Sequence, residues 1–187
     1  TDAALRLGVT KLMSDKKWYD ETFVKRFTDF PLLVRTDNLK RLRAQELFPN
    51  YKTTLSADGP SMKVQGLTAE QHVQLGDFVI WDAKKNGPVA LNRDDVGETM
   101  AKKGLDPALT GTYKVKLLDG KEVEVAPLWT LYQTHLKDYD LDTVADITSA
   151  PKALIEQLAQ DIATMKPVAI HQGEGINHWF HATEANR

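Results

Sequence analysis

The stretch Thr112-Tyr113-Lys114-Val115-Lys116-Leu117, followed by Asp119-Gly120 and then Glu122-Val123-Glu124-Val125, constrains the fold more than any other part of this chain. Apolar and charged residues alternate on both sides of the Asp-Gly step, so each strand turns one face to a core and the other to water. The glycine accepts the positive φ that a tight hairpin turn demands. An antiparallel hairpin with a wet, charged face is predicted. The chain has 187 residues, enough for one domain to build a real core around such a hairpin.

Helical spacing surrounds it. Ala4, Leu5, Leu7, Val9, Leu12 and Met13 predict a helix over Asp2–Met13, with Thr1 or Asp2 able to cap it. A second helix is predicted over Asp20–Phe27 and stops at Thr28-Asp29-Phe30-Pro31. Leu32–Val34 and Phe78–Trp81 are apolar runs of strand length, the latter followed by a turn, Asp82-Ala83-Lys84-Lys85-Asn86-Gly87. Residues 47–72 carry turn formers throughout and no clear period.

Helices follow near Leu128–Leu136, near Leu141–Ile147 and over Pro151–Met165. The last places Leu154, Leu158 and Ile162 in one stripe beside Ile155, Ala159 and Ala163. Pro167–Ile170 then predicts a short buried strand ahead of a glycine loop, the second half of a βαβ-type unit. The expected fold is α/β: a short, mostly parallel sheet flanked by helices, with one hairpin and a long irregular insertion. The expected organisation is a single α/β domain or domain fragment over 1–187, with the insertion at about 47–110.

Charge and composition exclude several classes. The net charge is −2, which gives no general attraction to nucleic acid or to an anionic membrane. No apolar run reaches the length of a transmembrane helix. The chain has no cysteine, so disulfides, thiolate catalysis and iron–sulfur ligation within it are excluded. No leader peptide pattern opens the chain, and both termini read as cuts through a longer polypeptide.

The terminal stretch IHQGEGINHWFHATEANR concentrates the chemistry. Its G-x-G-x-x-H spacing lacks the third glycine of a dinucleotide fingerprint, and Glu174 would set a carboxylate against phosphate. His171, His178 and His181 lack the i, i+4 pairing and carboxylate of a helical zinc motif, so no metal ligand is assigned. On residue types alone, packed loop histidines with a buried Trp179 remain an equal reading.

GEGINHWFH behind KPVAI resembles the loop of catalytic subunits in the molybdopterin oxidoreductases of the dimethyl sulfoxide reductase family. The branch it most resembles holds respiratory nitrate reductases, nitrite oxidoreductases and perchlorate or chlorate reductases. The opening TDAALRLGVTKLMSDKKWYDETFVKRFTDFPLLVR is similar to the same family's Gly-Thr-Asp segment and its aromatic-Asp-Pro-Leu-Leu-Val run. DGKEVEVAPLWTLYQTHLKDY and PKALIEQLAQDIA agree in order and spacing. The likeness is weaker over about 47–110.

That resemblance implies a fold like domain III of those subunits and a molybdenum bis(molybdopterin guanine dinucleotide) cofactor. Asp2, with Thr1 beside it, would meet a guanine edge, a carboxylate accepting two N–H bonds. Gly173 and Gly175 would bring backbone N–H groups to the cofactor, and Asn177 offers both donor and acceptor. Asn177, His178, Trp179 and His181 become candidates for the wall of a substrate funnel.

The molybdenum-ligating aspartate and the iron–sulfur region would precede Thr1, so this piece alone is expected to be inactive. The implied reaction is oxygen-atom transfer to or from an oxyanion, with perchlorate or chlorate favoured and nitrate or nitrite next. An iron–sulfur electron-transfer beta subunit and a haem-bearing subunit would be partners, in the periplasm. Two other readings stand beside it. One is a non-catalytic α/β ligand-binding module; the other is a family member acting on dimethyl sulfide or a hydrocarbon.

Overall fold

The computed structural model describes residues 2–53, 68, 71 and 77–170. In chain order the first elements are α1 (Asp2–Asp15), α2 (Glu21–Phe27), β1 (Leu33–Arg35) and α3 (Ala44–Leu47). Next come β2 (Phe78–Asp82), β3 (Gly87–Leu91), α4 (Glu98–Lys102), β4 (Tyr113–Lys116) and β5 (Glu122–Pro127). The remainder is helical: α5 (Leu128–His135), a 3-10 turn at Leu136–Asp138, α6 (Leu141–Thr148) and α7 (Lys152–Thr164). The chain divides into two compact units, Thr1–Tyr19 with Gln133–Arg187, and Asp20–Tyr132.

The first unit is helical. The Asp140 carboxylate accepts from Thr143 N at 2.8 Å and so starts α6, supplying one of the acceptors that free N-terminal N–H groups need. Ser149 takes the left-handed conformation at φ 58° and ends it. Pro151 then sets the φ that launches α7. Both helices pack on α1, where Val9, Val144, Ile155 and Ala159 form the buried cluster. The approach of α1 to α6 is close because position 8 is glycine: a Cβ there would lie 2.6 Å from Val144 Cγ2.

The second unit holds both sheets. In the three-stranded sheet β5 is central, pairing antiparallel with β1 (Leu33 opposite Pro127) and with β4 (Val115 opposite Val123). The β4–β5 hairpin is the one predicted from Asp119-Gly120. Gly120 sits at φ 87°, Lys121 N donates to Asp119 Oδ1 at 2.9 Å, and Lys114, Lys116, Glu122 and Glu124 face water. Val115, Leu117, Val123 and Val125 point the other way and join Leu33, Leu42 and Val79 in the core. Each such aliphatic side chain contributes roughly 1.5–3 kcal/mol by leaving water.

The second sheet is an antiparallel pair, β2 with β3, in register from Phe78–Leu91 to Asp82–Gly87. Its turn is held by Asp82, whose Oδ1 accepts from Lys84 N at 2.9 Å and Lys85 N at 3.2 Å. Trp81 of β2 stacks on Tyr113 of β4 with ring centroids 3.9 Å apart and an interplanar angle of 6°. The Tyr113 hydroxyl donates to Thr110 O at 2.9 Å. Gly111 lies beneath that ring at φ 120°, where an added Cβ would meet the tyrosine oxygen at 2.6 Å.

The mixed α and β composition is as expected, but the sheets correct the expectation of mostly parallel strands. Every strand pairing among the described residues is antiparallel. The physical reason lies in the connections: hairpins join β2 to β3 and β4 to β5, and a short link joins strands only antiparallel. Pro167–Ile170 is a second correction. These residues are exposed and pair with no strand among the described residues, and the element preceding α7 is the helix α6 rather than a strand, so the described residues complete no βαβ unit there. Strand β3 escaped the sequence reading because Gly87 and Pro88 are poor strand formers. Among the described residues no helix is long and apolar enough to cross a membrane.

Candidate functional site

The structure places Asp2 in the first turn of α1, where helix N-terminal N–H groups favour a negative charge. Its side chain is exposed and makes no hydrogen bond or ion pair with the described residues. A carboxylate in that state keeps its full acceptor capacity for an external N–H edge. Thr1, Gly173, Gly175, Asn177, His178, Trp179 and His181 lie outside the described residues, so Asp2 is the one predicted site residue with a position.

The second unit contains a polar site that the sequence reading did not single out. Asp77, immediately before β2, is fully buried. Tyr51 Oη donates to its Oδ2 at 2.6 Å, while Oδ1 has no hydrogen-bond partner among the described residues. Burial pushes the Asp77 carboxyl above its ordinary range; Tyr51 and the positive charges of Arg93 and Lys103 oppose that shift, and Asp95 adds to it. The Tyr51 phenol is raised as well, chiefly by burial and then by its bond to Asp77. Asp95 is itself buried, accepts from Asn92 N at 3.0 Å and pairs with Lys103 Nζ at 2.6 Å.

This arrangement can hold a proton between a phenol and a carboxyl in a dry setting. Within the 92–103 segment, Asp95 joins Asn92 to Lys103. A signal did exist in the sequence: a lone carboxylate directly ahead of the apolar run Phe78–Trp81. Among the described residues, no three His, Asp or Glu side chains are grouped so as to hold a metal.

No family model matches the chain. Individual proteins do. The alpha subunit of perchlorate reductase from Dechloromonas aromatica (strain RCB) is 30% identical over 189 residues, covering 97% of this chain and 20% of that protein. The alpha subunit of respiratory nitrate reductase from Haloferax mediterranei is 31% identical over 189 residues, covering 100% of this chain and 18% of that protein. The chain matches a segment of a molybdopterin oxidoreductase alpha subunit. It spans about a fifth of the length of these curated relatives, 20% and 18%.

A dopamine dehydroxylase from Eggerthella lenta also aligns with the chain, at 25% identity over 237 residues, 98% of this chain and 23% of that protein. The alignments with these relatives each cover at least 97% of the chain.

Proposed function

We propose that this chain is part of a molybdenum bis(molybdopterin guanine dinucleotide) oxidoreductase subunit that transfers an oxygen atom to or from an oxyanion. Perchlorate or chlorate is the favoured substrate and nitrate or nitrite the next. The reading is carried by the end-to-end likeness to the alpha subunits of perchlorate and nitrate reductases. When bound, the metal and its pterins supply the oxygen-atom and electron chemistry, and the protein supplies placement and electrostatics.

Within that parent the exposed, unpaired Asp2 carboxylate has the acceptor chemistry to grip guanine N–H groups, with Thr1 beside it. Gly173, Gly175 and Asn177 are the proposed remaining contacts to the cofactor. Asn177, His178, Trp179 and His181 are the proposed wall of the substrate funnel. Iron–sulfur ligation belongs elsewhere in the parent, since this chain contains no cysteine. An iron–sulfur beta subunit and a haem-bearing subunit complete the proposed complex, placed in the periplasm.

The direct test is a steady-state assay of the intact parent enzyme on perchlorate, chlorate, nitrate and nitrite. Higher kcat/KM on the chlorine oxyanions supports the substrate assignment, and turnover of none of the four removes the oxyanion reading. Asp2→Asn in that parent should lower the guanine nucleotide released on acid hydrolysis; an unchanged guanine content returns Asp2 to a helix-end role. The dopamine dehydroxylase relative supports a second reading, a family member acting on an organic substrate, which inactivity on all four oxyanions would favour.

A further inference from the structure

Helix α2 starts on a side-chain cap, with Phe23 N donating to Asp20 Oδ1 at 2.9 Å. Val24 turns inward and is buried. The i, i+4 spacing sets Phe23 and Phe27 one above the other on a neighbouring side of the helix, and their rings stack with centroids 5.2 Å apart. Both remain more than half exposed, at 54% and 56%. An aromatic side chain can bury about 150–250 Å², so two left in water forfeit most of what they could contribute.

The pair is also held in place. Phe27 lies across Gly97, where an added Cβ would meet its Cε1 at 2.6 Å and its Cζ at 2.7 Å. Gly97 N donates to Arg26 O at 2.9 Å, which fastens that loop to α2. Val96, next in the chain, is 47% exposed and lines a cavity of about 230 Å³ together with Arg26. The Arg26 guanidinium is half-buried and makes no hydrogen bond or ion pair with the described residues. The carboxylates of Glu21 and Asp106 are engaged by Lys25, each at 3.0 Å. Fixed aromatic rings beside an arginine with its donors free are the makings of a pre-organised contact.

We infer that Phe23, Phe27, Val96 and Arg26 seat an apolar segment bearing a carboxylate, supplied by the parent subunit itself from outside this chain. The inference rests on the reading of the chain as part of a longer oxidoreductase subunit. Coverage points to the occupant: the chain matches only 20% and 18% of two alpha subunits, so in such a parent most of the polypeptide able to meet this face is the same chain. A second copy would need roughly 800 Å² on each side for a stable dimer, and this face offers two rings and a valine.

The test uses the full-length parent with p-benzoylphenylalanine in place of Phe23, photolysed, digested and read by mass spectrometry. The expected product joins position 23 to a peptide of the same subunit, outside this chain, that holds an apolar side chain and an Asp or Glu. A second measurement does not depend on that residue. Arg26→Glu in the parent should speed amide exchange of α2 by roughly three- to tenfold, and Arg26→Lys should keep most of the protection. Changing the carboxylate of the attached peptide to lysine should restore protection in the Arg26→Glu background.

A crosslink to another subunit, to a second copy or to water alone overturns the inference while oxyanion turnover persists. So does exchange that Arg26→Glu leaves unchanged. A purified gene product no longer than this chain overturns the reading of a larger subunit along with it.

Discussion

The two units solve the burial problem differently. In the sheet-bearing unit the alternation over Lys114–Lys116 and Glu122–Val125 is strict: Val115, Val123 and Val125 are inside, while Lys114, Lys116, Glu122 and Glu124 are outside. In the helical unit α7 carries two apolar stripes and buries one. Ile155 and Ala159 are inside, whereas Leu154 and Leu158 remain 63% and 40% exposed. A strand with period two leaves no ambiguity about its buried face, because a one-residue slip would reverse every side chain. A helix has a continuous perimeter, so adjacent apolar stripes can serve two different neighbours.

Substitutions can break or sharpen that contrast. The largest effect is expected from Leu33→Ala, which empties a fully buried position of β1 and should cost about 2–5 kcal/mol, read from urea unfolding by tryptophan fluorescence. A cost under 1 kcal/mol would mean that the sheet core is looser than its burial implies. Gly8→Ala comes next. The new methyl would press on Val144 and should destabilise the helical unit by about 1–3 kcal/mol. Hydrogen exchange of α1 reports the loss, and Val144→Ala should recover part of it if the close approach is the cause.

Asp77 gives a smaller and pH-dependent effect. Burial raises its carboxyl pKa in the folded chain, so folding favours the protonated form. That contribution is fully present below the ordinary carboxylate pKa and is lost as pH rises through the elevated folded value. Asp77→Asn, which keeps a neutral polar group, should flatten the urea midpoint across that window and match or exceed the wild type by about 1 kcal/mol at neutral pH. A steeper profile in the variant would reverse the sign of the argument. The smallest effect is expected at the outer stripe of α7: Leu158→Ser should change stability of the isolated chain by under about 0.5 kcal/mol. A larger loss would show that this stripe stabilises its own unit.

The sequence made the local features legible. The Asp119-Gly120 hairpin declares itself because turn and alternation lie within one short stretch, and α1, α2 and α7 declare themselves through spacing and caps. What stayed hidden was non-local. The pairing of Leu33 with Pro127 leaves no mark on periodicity, and so the sheet's antiparallel sense was not foreseen. Nor does a sequence say which stripe of α7 goes inside, or that Asp77 is buried against Tyr51. At the candidate site, Asp2 was legible through resemblance alone: its helix-end position would equally suit a cap. The terminal glycine–histidine loop, also read by likeness, lies outside the described residues.

The Trp81–Tyr113 stack gives the sheet unit an internal optical reporter. Because an indole lies parallel to a phenol at van der Waals distance, the pair should contribute a near-ultraviolet circular dichroism band that vanishes when the two ladders separate, even while each hairpin persists. The glycine beneath the tyrosine admits no side chain without lifting the ring, so that band would also register any change at position 111.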